Sequence, residues 1–181
     1  NSYFKKFARA RLTTLRRNGT LRMFAGGTVS KLSKTEVAVC KNLTRQEEED
    51  FVEIILKYGD AARDAEAKKA EREVGADVFP LIWPSSFYTR KRRILGNTLK
   101  DLDARADQAM RDVLSFSTQS TVRPTISALS RDITNALTGI GGVFSPSVAS
   151  RIANTEIPAF KNLGKHSVYK SAGVERLRWV S

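Results

Sequence analysis

Histidine and cysteine occur once each in the 181 residues, as His166 and Cys40. One cysteine excludes an internal disulfide, and one Cys with one His cannot supply the four protein ligands of a structural zinc site. A Ser-His-Asp arrangement would have to run through His166, which lies in "KHSVY" with no nucleophile elbow anywhere in the chain. Cys40 as a nucleophile would need that same histidine, and alone it reads as a small apolar packing residue. No apolar run approaches the roughly 20 residues of a membrane helix, and the basic N-terminus lacks the apolar centre of a signal peptide. The glycines of "TGIGGVFSPS", Gly139, Gly141 and Gly142, follow a helical pattern and precede no Lys-Ser/Thr pair, so they read as a turn and not as a phosphate loop. No catalytic residue, metal or cofactor is expected, and the chain reads as a non-enzyme of reducing origin, such as a bacterial cytoplasm.

Positive charge is what the sequence has in excess: net +12, with a pI of about 10.1. The excess is uneven. Residues 1–45 hold 11 Lys or Arg against 1 acid, residues 46–77 hold 5 against 11, residues 78–123 hold 8 against 4, and the remainder hold 7 against 3. A basic arm of this kind is an electrostatic footprint for phosphate or for an acidic protein face, or else a solvated tail. Hydrophobic residues, at 41%, supply the core of one or two domains, and a mean hydropathy of −0.33 points to helices laid on partners.

Within the arm, residues 1–44, Phe4, Phe7, Arg11 and Leu15 fall at helical spacing among Lys5, Lys6, Arg9, Arg16 and Arg17. Asn18-Gly19 signals a turn, and "TLRMFAGGTVSKL" reads as a small hairpin around Gly26-Gly27. The arm is expected to reach DNA or a shell, or to order on any neighbour. A capping box, Thr44-x-x-Glu47, then opens a long amphipathic helix over 45–77. Its apolar face, Phe51, Ile54, Ile55 and Tyr58, thins to Ala61, Ala62, Ala65 and Ala70, which suits close packing on another helix.

Residues 78–94 read as an aromatic-basic linker, with Trp83, Phe87 and Tyr88 beside Arg90, Lys91, Arg92 and Arg93. Three uses fit: partner anchoring, stacking of single-stranded bases, or aromatics closing one end of a helical core. Leu95, Leu99, Leu102, Ala106, Ala109, Val113 and Phe116 form the clearest stripe, with Asp101, Asp103, Asp107 and Asp112 read as its solvated face. Ser115–Thr121 reads as a polar loop. Pro124 then opens a helix striped by Ile126, Leu129, Ile133 and Leu137 and ended at Gly139.

The final stretch begins with Ser145 as cap, Pro146 in the first turn, and an apolar stripe of Val148, Ala149, Ile152 and Ala153. Pro158 is expected to break it. Phe160, Leu163, Val168 and Tyr169 then form a second helix that Gly173 ends, before an extended return through Val174, Leu177 and Trp179. In this run Ile152, Ala153, Thr155, Glu156, Asn162, Gly164, Ala172, Gly173, Val174 and Trp179 fall in register with a known pattern. The stretch resembles the C-terminal module of tailed-phage minor head proteins, the phage Mu F-like head morphogenesis family. It departs where Asn154 replaces the family's Arg and where Pro158 enters the helix. Arg151, Thr155, Glu156, Asn162, Gly173 and Trp179 are the structural motif residues that the resemblance assigns. Glu156 is expected to cap a neighbouring helix or to pair with Arg151.

The expectation is therefore a mainly α, extended helical bundle with a small mixed α/β element at the C-terminal edge. Residues 95–181 would be the head-morphogenesis module, with more chain expected beyond Ser181. The resemblance implies a multi-copy structural component of the virion, made in the host cytoplasm and placed at the portal vertex or capsid interior. It would assist head assembly, DNA packaging or ejection. Its partners would be the portal protein, the major capsid protein or packaged double-stranded DNA, with no membrane. Lys5, Lys6, Arg9, Arg11, Arg16 and Arg17 would place charge on the partner, as would Arg90, Lys91, Arg92 and Arg93, while Trp83, Phe87 and Tyr88 anchor it. The alternatives are a free-standing nucleic-acid-binding protein, or the N-terminal part of a longer protein with a catalytic domain beyond residue 181.

Overall fold

The periodicities are realised as six helices and no strand among the described residues, which in the computed structural model are 2–26, 43–75, 83–119 and 124–174. Helix accounts for 87% of them, so the chain is mainly α. In order the helices are α1 (Ser2–Arg17), α2 (Thr20–Gly26), α3 (Arg45–Val74), α4 (Ser85–Gln119), α5 (Ile126–Thr138) and α6 (Pro146–Ser171). The expected mixed element after Val174, with Trp179, lies outside the described residues, as does Cys40.

The described helices divide between two units, residues 1–48 with 97–150 and residues 49–96 with 151–181. In the first, α1, α2 and α5 pack together. Phe4, Phe7, Ala8 and Leu15 of α1 are buried at i, i+3, i+4 and i+11, and Leu21, Phe24, Leu129, Ile133 and Leu137 are buried in the same unit. Gly19, at φ +74, makes the turn between α1 and α2. Thr125 caps α5, its Oγ1 accepting from the Ala128 amide at 3.1 Å. The glycine-rich segment after α5 is a tight turn. Gly142 N donates to Gly139 O at 2.9 Å and Phe144 N to Leu137 O at 2.7 Å. This folds Phe144 inward, 1% exposed, to lie 5.4 Å from the Phe4 ring and 5.1 Å from Phe7.

In the second unit α3 and α6 meet through small residues. A Cβ added at Gly59 would lie 2.7 Å from the Phe160 ring, and one added at Gly164 would run into the carbonyl oxygen of Arg63. Ala67 clusters with Val168, Ala70 and Tyr169, with Val74 and Trp83 against them. Gly59 by Phe160, Arg63 by Gly164 and Ala67 with Val168 advance together in steps of four, so the two segments run in the same direction. Helix α3 thus packs closely on a helix, but through Gly59, Arg63, Ala67 and Ala70; of the face expected from the sequence only Phe51 and Ala70 are buried, while Ile54, Tyr58, Ala61 and Ala65 are exposed.

Several expectations are corrected. Thr20–Gly26 is a helix and not a hairpin arm, because Thr20, Leu21 and Phe24 bury one helical side. Phe87 to Arg93 lie in α4, which starts at Ser85 and not after a linker, and α4 continues through Ser115 to Gln119 where a loop was expected. Its buried row passes from Ala106 to Met110 and Leu114, leaving Phe116 75% exposed, and Ile126 is also exposed. Pro158 does not end a helix: α6 runs through it. The row Ile152, Glu156, Phe160, Gly164 and Val168 is buried on one side. Pro158 and Asn154 are exposed on the other, where water can satisfy the carbonyl that the missing N–H leaves free. The end at Gly173 is as expected. Val174 N donates to Tyr169 O and Gly173 N to Lys170 O, at 2.9 and 3.2 Å, around a glycine at φ +73.

Candidate interaction surface

Helix α1 carries no acid, and its cations divide by direction. The inward one is Arg11, 1% exposed. Its Nε and Nη2 donate to Asp103 Oδ1 at 3.2 and 2.5 Å, and its guanidinium lies 4.3 Å from the Phe7 ring centre. Nη1 has no hydrogen bond, with Glu47 Oε1 at 3.8 Å. Arg11 is therefore a core residue and is withdrawn from the predicted contact set. Asp103, read as part of a solvated face, is its counter-ion and also accepts from the Leu43 amide at 3.3 Å.

The outward cations are Lys5, Lys6, Arg9, Arg16 and Arg17, joined by Arg22 of α2; all six are exposed. At 3.6 residues per turn those on α1 cover about 120° of the helix, opposite the buried face. Ser2 and Thr13 share that sector, which holds no large apolar side chain. Among the described residues none of the six cations has an ion pair, in contrast to Arg11. Thr44 and Glu47 form the capping box reciprocally, Thr44 N donating to Glu47 Oε2 at 2.9 Å and Glu47 N to Thr44 Oγ1 at 3.2 Å. Glu47 is thereby held to that helix start, while Glu48 pairs with Lys100 of α4 at 3.3 Å.

The second predicted surface turns inward in large part. Phe87 meets Phe160 edge-on at 5.1 Å and Tyr88 at 5.6 Å. Trp83 stacks under the Arg63 guanidinium at 4.2 Å. Arg63 donates to Asp60 Oδ1 at 2.7 Å, to Asp64 Oδ1 at 2.8 Å and to the Tyr88 hydroxyl, which itself donates to Asp60 at 2.7 Å. Burial pushes the Asp60 carboxyl above its ordinary range, with Asp64 and Glu53 adding to the rise and Arg63 opposing it. Lys91 Nζ pairs with Glu156 Oε2 at 2.7 Å, both side chains nearly buried, so the partner of Glu156 is Lys91 and not Arg151. Arg92 pairs with Glu53 at 2.6 Å on the surface. Arg90 and Arg93 remain exposed and unpaired among the described residues. Trp83, Phe87 and Tyr88 are half-buried, and their contacts with Arg63 and Phe160 are those of the third reading, aromatics at one end of a helical core.

Thr155 Oγ1 donates back to the Arg151 carbonyl at 2.9 Å, and Arg151 and Asn162 are exposed. Sequence reasoning missed a polar cluster on α3 and α6. Tyr169 donates to Glu73, and Lys165 Nζ lies 3.8 Å from the same carboxylate oxygen. The Tyr169 hydrogen bond draws Glu73 below its usual range and raises Lys165, while the bond to Glu73 raises Tyr169. Lys165 and Tyr169 at i and i+4 were visible as a pair. Their shared acceptor, close to a hundred residues earlier, carried no local signal.

His166 is exposed, and no group of three or more His, Cys, Asp or Glu among the described residues is placed to hold a metal ion. No described helix is long and apolar enough to cross a membrane. Compared with protein-family models, curated proteins and solved structures, the chain matches none of them.

Proposed function

We propose that this chain is a structural minor head protein of a tailed bacteriophage. It acts by binding, at the portal vertex or capsid interior, and assists head assembly, DNA packaging or ejection. The observation that carries the reading is the division of charge on α1: the inward arginine is neutralised, whereas Lys5, Lys6, Arg9, Arg16 and Arg17 stand unpaired among the described residues on one exposed sector. Such a sector presents a field to an anionic partner and weakens steeply as salt rises. Arg90 and Arg93 add exposed charge elsewhere. The resemblance in about the last forty residues supplies the class of assembly. It also assigns Val174–Ser181, with Trp179, to a short extended element at the C-terminal edge of the helices. In this reading the protein is present in several copies in the virion and has no cofactor.

The second reading, a free-standing nucleic-acid-binding protein, is favoured by one feature. The basic sector of α1 lacks the aromatic anchors typical of protein hot spots, and phosphate contact requires none.

The test is capture of the purified chain on portal protein, on major capsid protein and on duplex DNA, at low and at high salt. Binding to portal or capsid that survives high salt supports the head-component reading. Binding to DNA alone, lost as salt rises, replaces it with the second.

A further inference from the structure

Helix α3 is apolar on two sides. Its inner side holds Leu56, Gly59, Arg63, Ala67 and Ala70, all buried. On the side directly opposite, where charged residues are the rule for a solvated helix, stand Ile54, Tyr58, Ala61 and Ala65. Ile54 is 37% and Tyr58 67% exposed, and both alanines are exposed. Their steps of four, three and four are the heptad spacing of a helix-pairing seam.

We infer that this stripe is the contact by which a second copy of the chain pairs with the first, α3 against α3 in antiparallel orientation. Three observations select that occupant. A two-fold axis midway between Tyr58 and Ala61 sets Tyr58 against Ala61 of the second copy and Ile54 against Ala65. Each large side chain then faces a small one, and the seam is complementary to itself. Half-buried Ile55 and Ala62 flank one edge and meet each other across the same axis, widening the apolar strip.

Charge fits the same register. Along the other edge Lys57 is exposed and has no ion pair among the described residues. Asp64 uses only Oδ1 on Arg63 and keeps its side chain 53% exposed. The antiparallel pairing brings Lys57 of each copy beside Asp64 of the other, twice over. A parallel pairing would instead set the edge of Lys57 and Asp64 against the apolar edge of Ile55 and Ala62, leaving both charges without a counter-ion. Ala61 and Ala65 let the two backbones approach closely.

The strip spans about three helical turns, below the area of a standard stable interface, so the association is concentration-dependent, with a dissociation constant on the order of 10–100 µM. The inference is independent of the proposed function, since it concerns another surface and a different partner.

Sedimentation equilibrium of the full chain over that range tests it, with Tyr58→Glu as the variant that buries an unpaired charge and weakens pairing at least about 100-fold. Unchanged circular dichroism of the variant ensures that loss of the dimer is not loss of fold. Orientation is read by cross-linking in a Cys40→Ser background. Mixed Ile54→Cys and Ala65→Cys chains should join to one another, and neither should join to itself. A chain that stays monomeric overturns the pairing and leaves the stripe to a helix of another protein. A dimer unmoved by Tyr58→Glu, or Ile54→Cys joining to itself, overturns it equally.

Discussion

Arg11 and Asp103 meet across 92 positions of sequence, with two guanidinium nitrogens on one carboxylate oxygen. The two partners are unequally shielded, the arginine side chain 1% exposed and the aspartate 21%. Removing either partner therefore does not cost the same. Asp103→Ala strands a buried guanidinium whose Nη1 already lacks a hydrogen bond, and should destabilise by about 3 kcal/mol. Arg11→Met keeps the packed stem and leaves a carboxylate that water can reach, so the loss should be about 1–2 kcal/mol. Urea unfolding of the two variants measures the difference; equal losses would mean that the pair does not govern this site.

The Lys91–Glu156 bridge is also shielded, with side chains 12% and 9% exposed. Glu156→Ala should lower stability by about 3 kcal/mol, seen as a fall in Tm of several degrees. Arg151→Ala, whose side chain is exposed, should move it little. A melting curve unchanged by Glu156→Ala would count against a structural role for this carboxylate.

Close approach of α3 and α6 predicts that alanine is harmful at two positions where helix propensity alone would favour it by about 1 kcal/mol. Gly164→Ala meets a backbone carbonyl that cannot rotate away, and should cost about 2–3 kcal/mol net. Gly59→Ala meets the Phe160 ring, so Phe160→Leu should recover part of its loss. Thermal melts of the double variant decide whether that ring is the obstacle.

The Tyr169–Glu73–Lys165 cluster gives a pH signature. Glu73 is lowered from 4.5, so its contribution is complete above that value and is lost as pH falls through the folded pKa. Tyr169 and Lys165 are raised from 10.0 and 10.5, so theirs are complete below those values and are lost as pH climbs through the folded ones. The stability gap between wild type and Tyr169→Phe should be flat through neutrality and narrow at both extremes. A gap that stays constant at the acid end would show that the hydroxyl does not support the Glu73 carboxylate.

Local signals proved the most readable. The Thr44-x-x-Glu47 box and the Gly173 stop need only a few neighbouring residues, and both stand where the sequence put them. The phase of α4 was harder, because after Ala106 apolar residues occupy both Ala109 and Met110, then both Val113 and Leu114. Only the neighbouring helices choose Met110 and Leu114. Pro158 misled for a related reason: its effect depends on the side of the helix that it occupies, and that is fixed by packing. For the candidate surface, the basic character of α1 was visible while the inward turn of Arg11 was obscured, since a lone arginine on an apolar face carries no mark of a distant aspartate. Arg63, set among alanines and charges, became a buried hub only when Trp83 and Tyr88 arrived from beyond α3.

The sorting of cations on α1 sets how that helix tolerates sequence drift. Lys5, Lys6, Arg9, Arg16 and Arg17 present charge to the outside, so lysine and arginine are exchangeable there as far as folding is concerned. Position 11 admits no such exchange, because a single ammonium cannot reproduce two directed bonds to one carboxylate oxygen while staying over the Phe7 ring. Variants selected for folding alone would come to show one fixed arginine within a basic helix whose other cations wander.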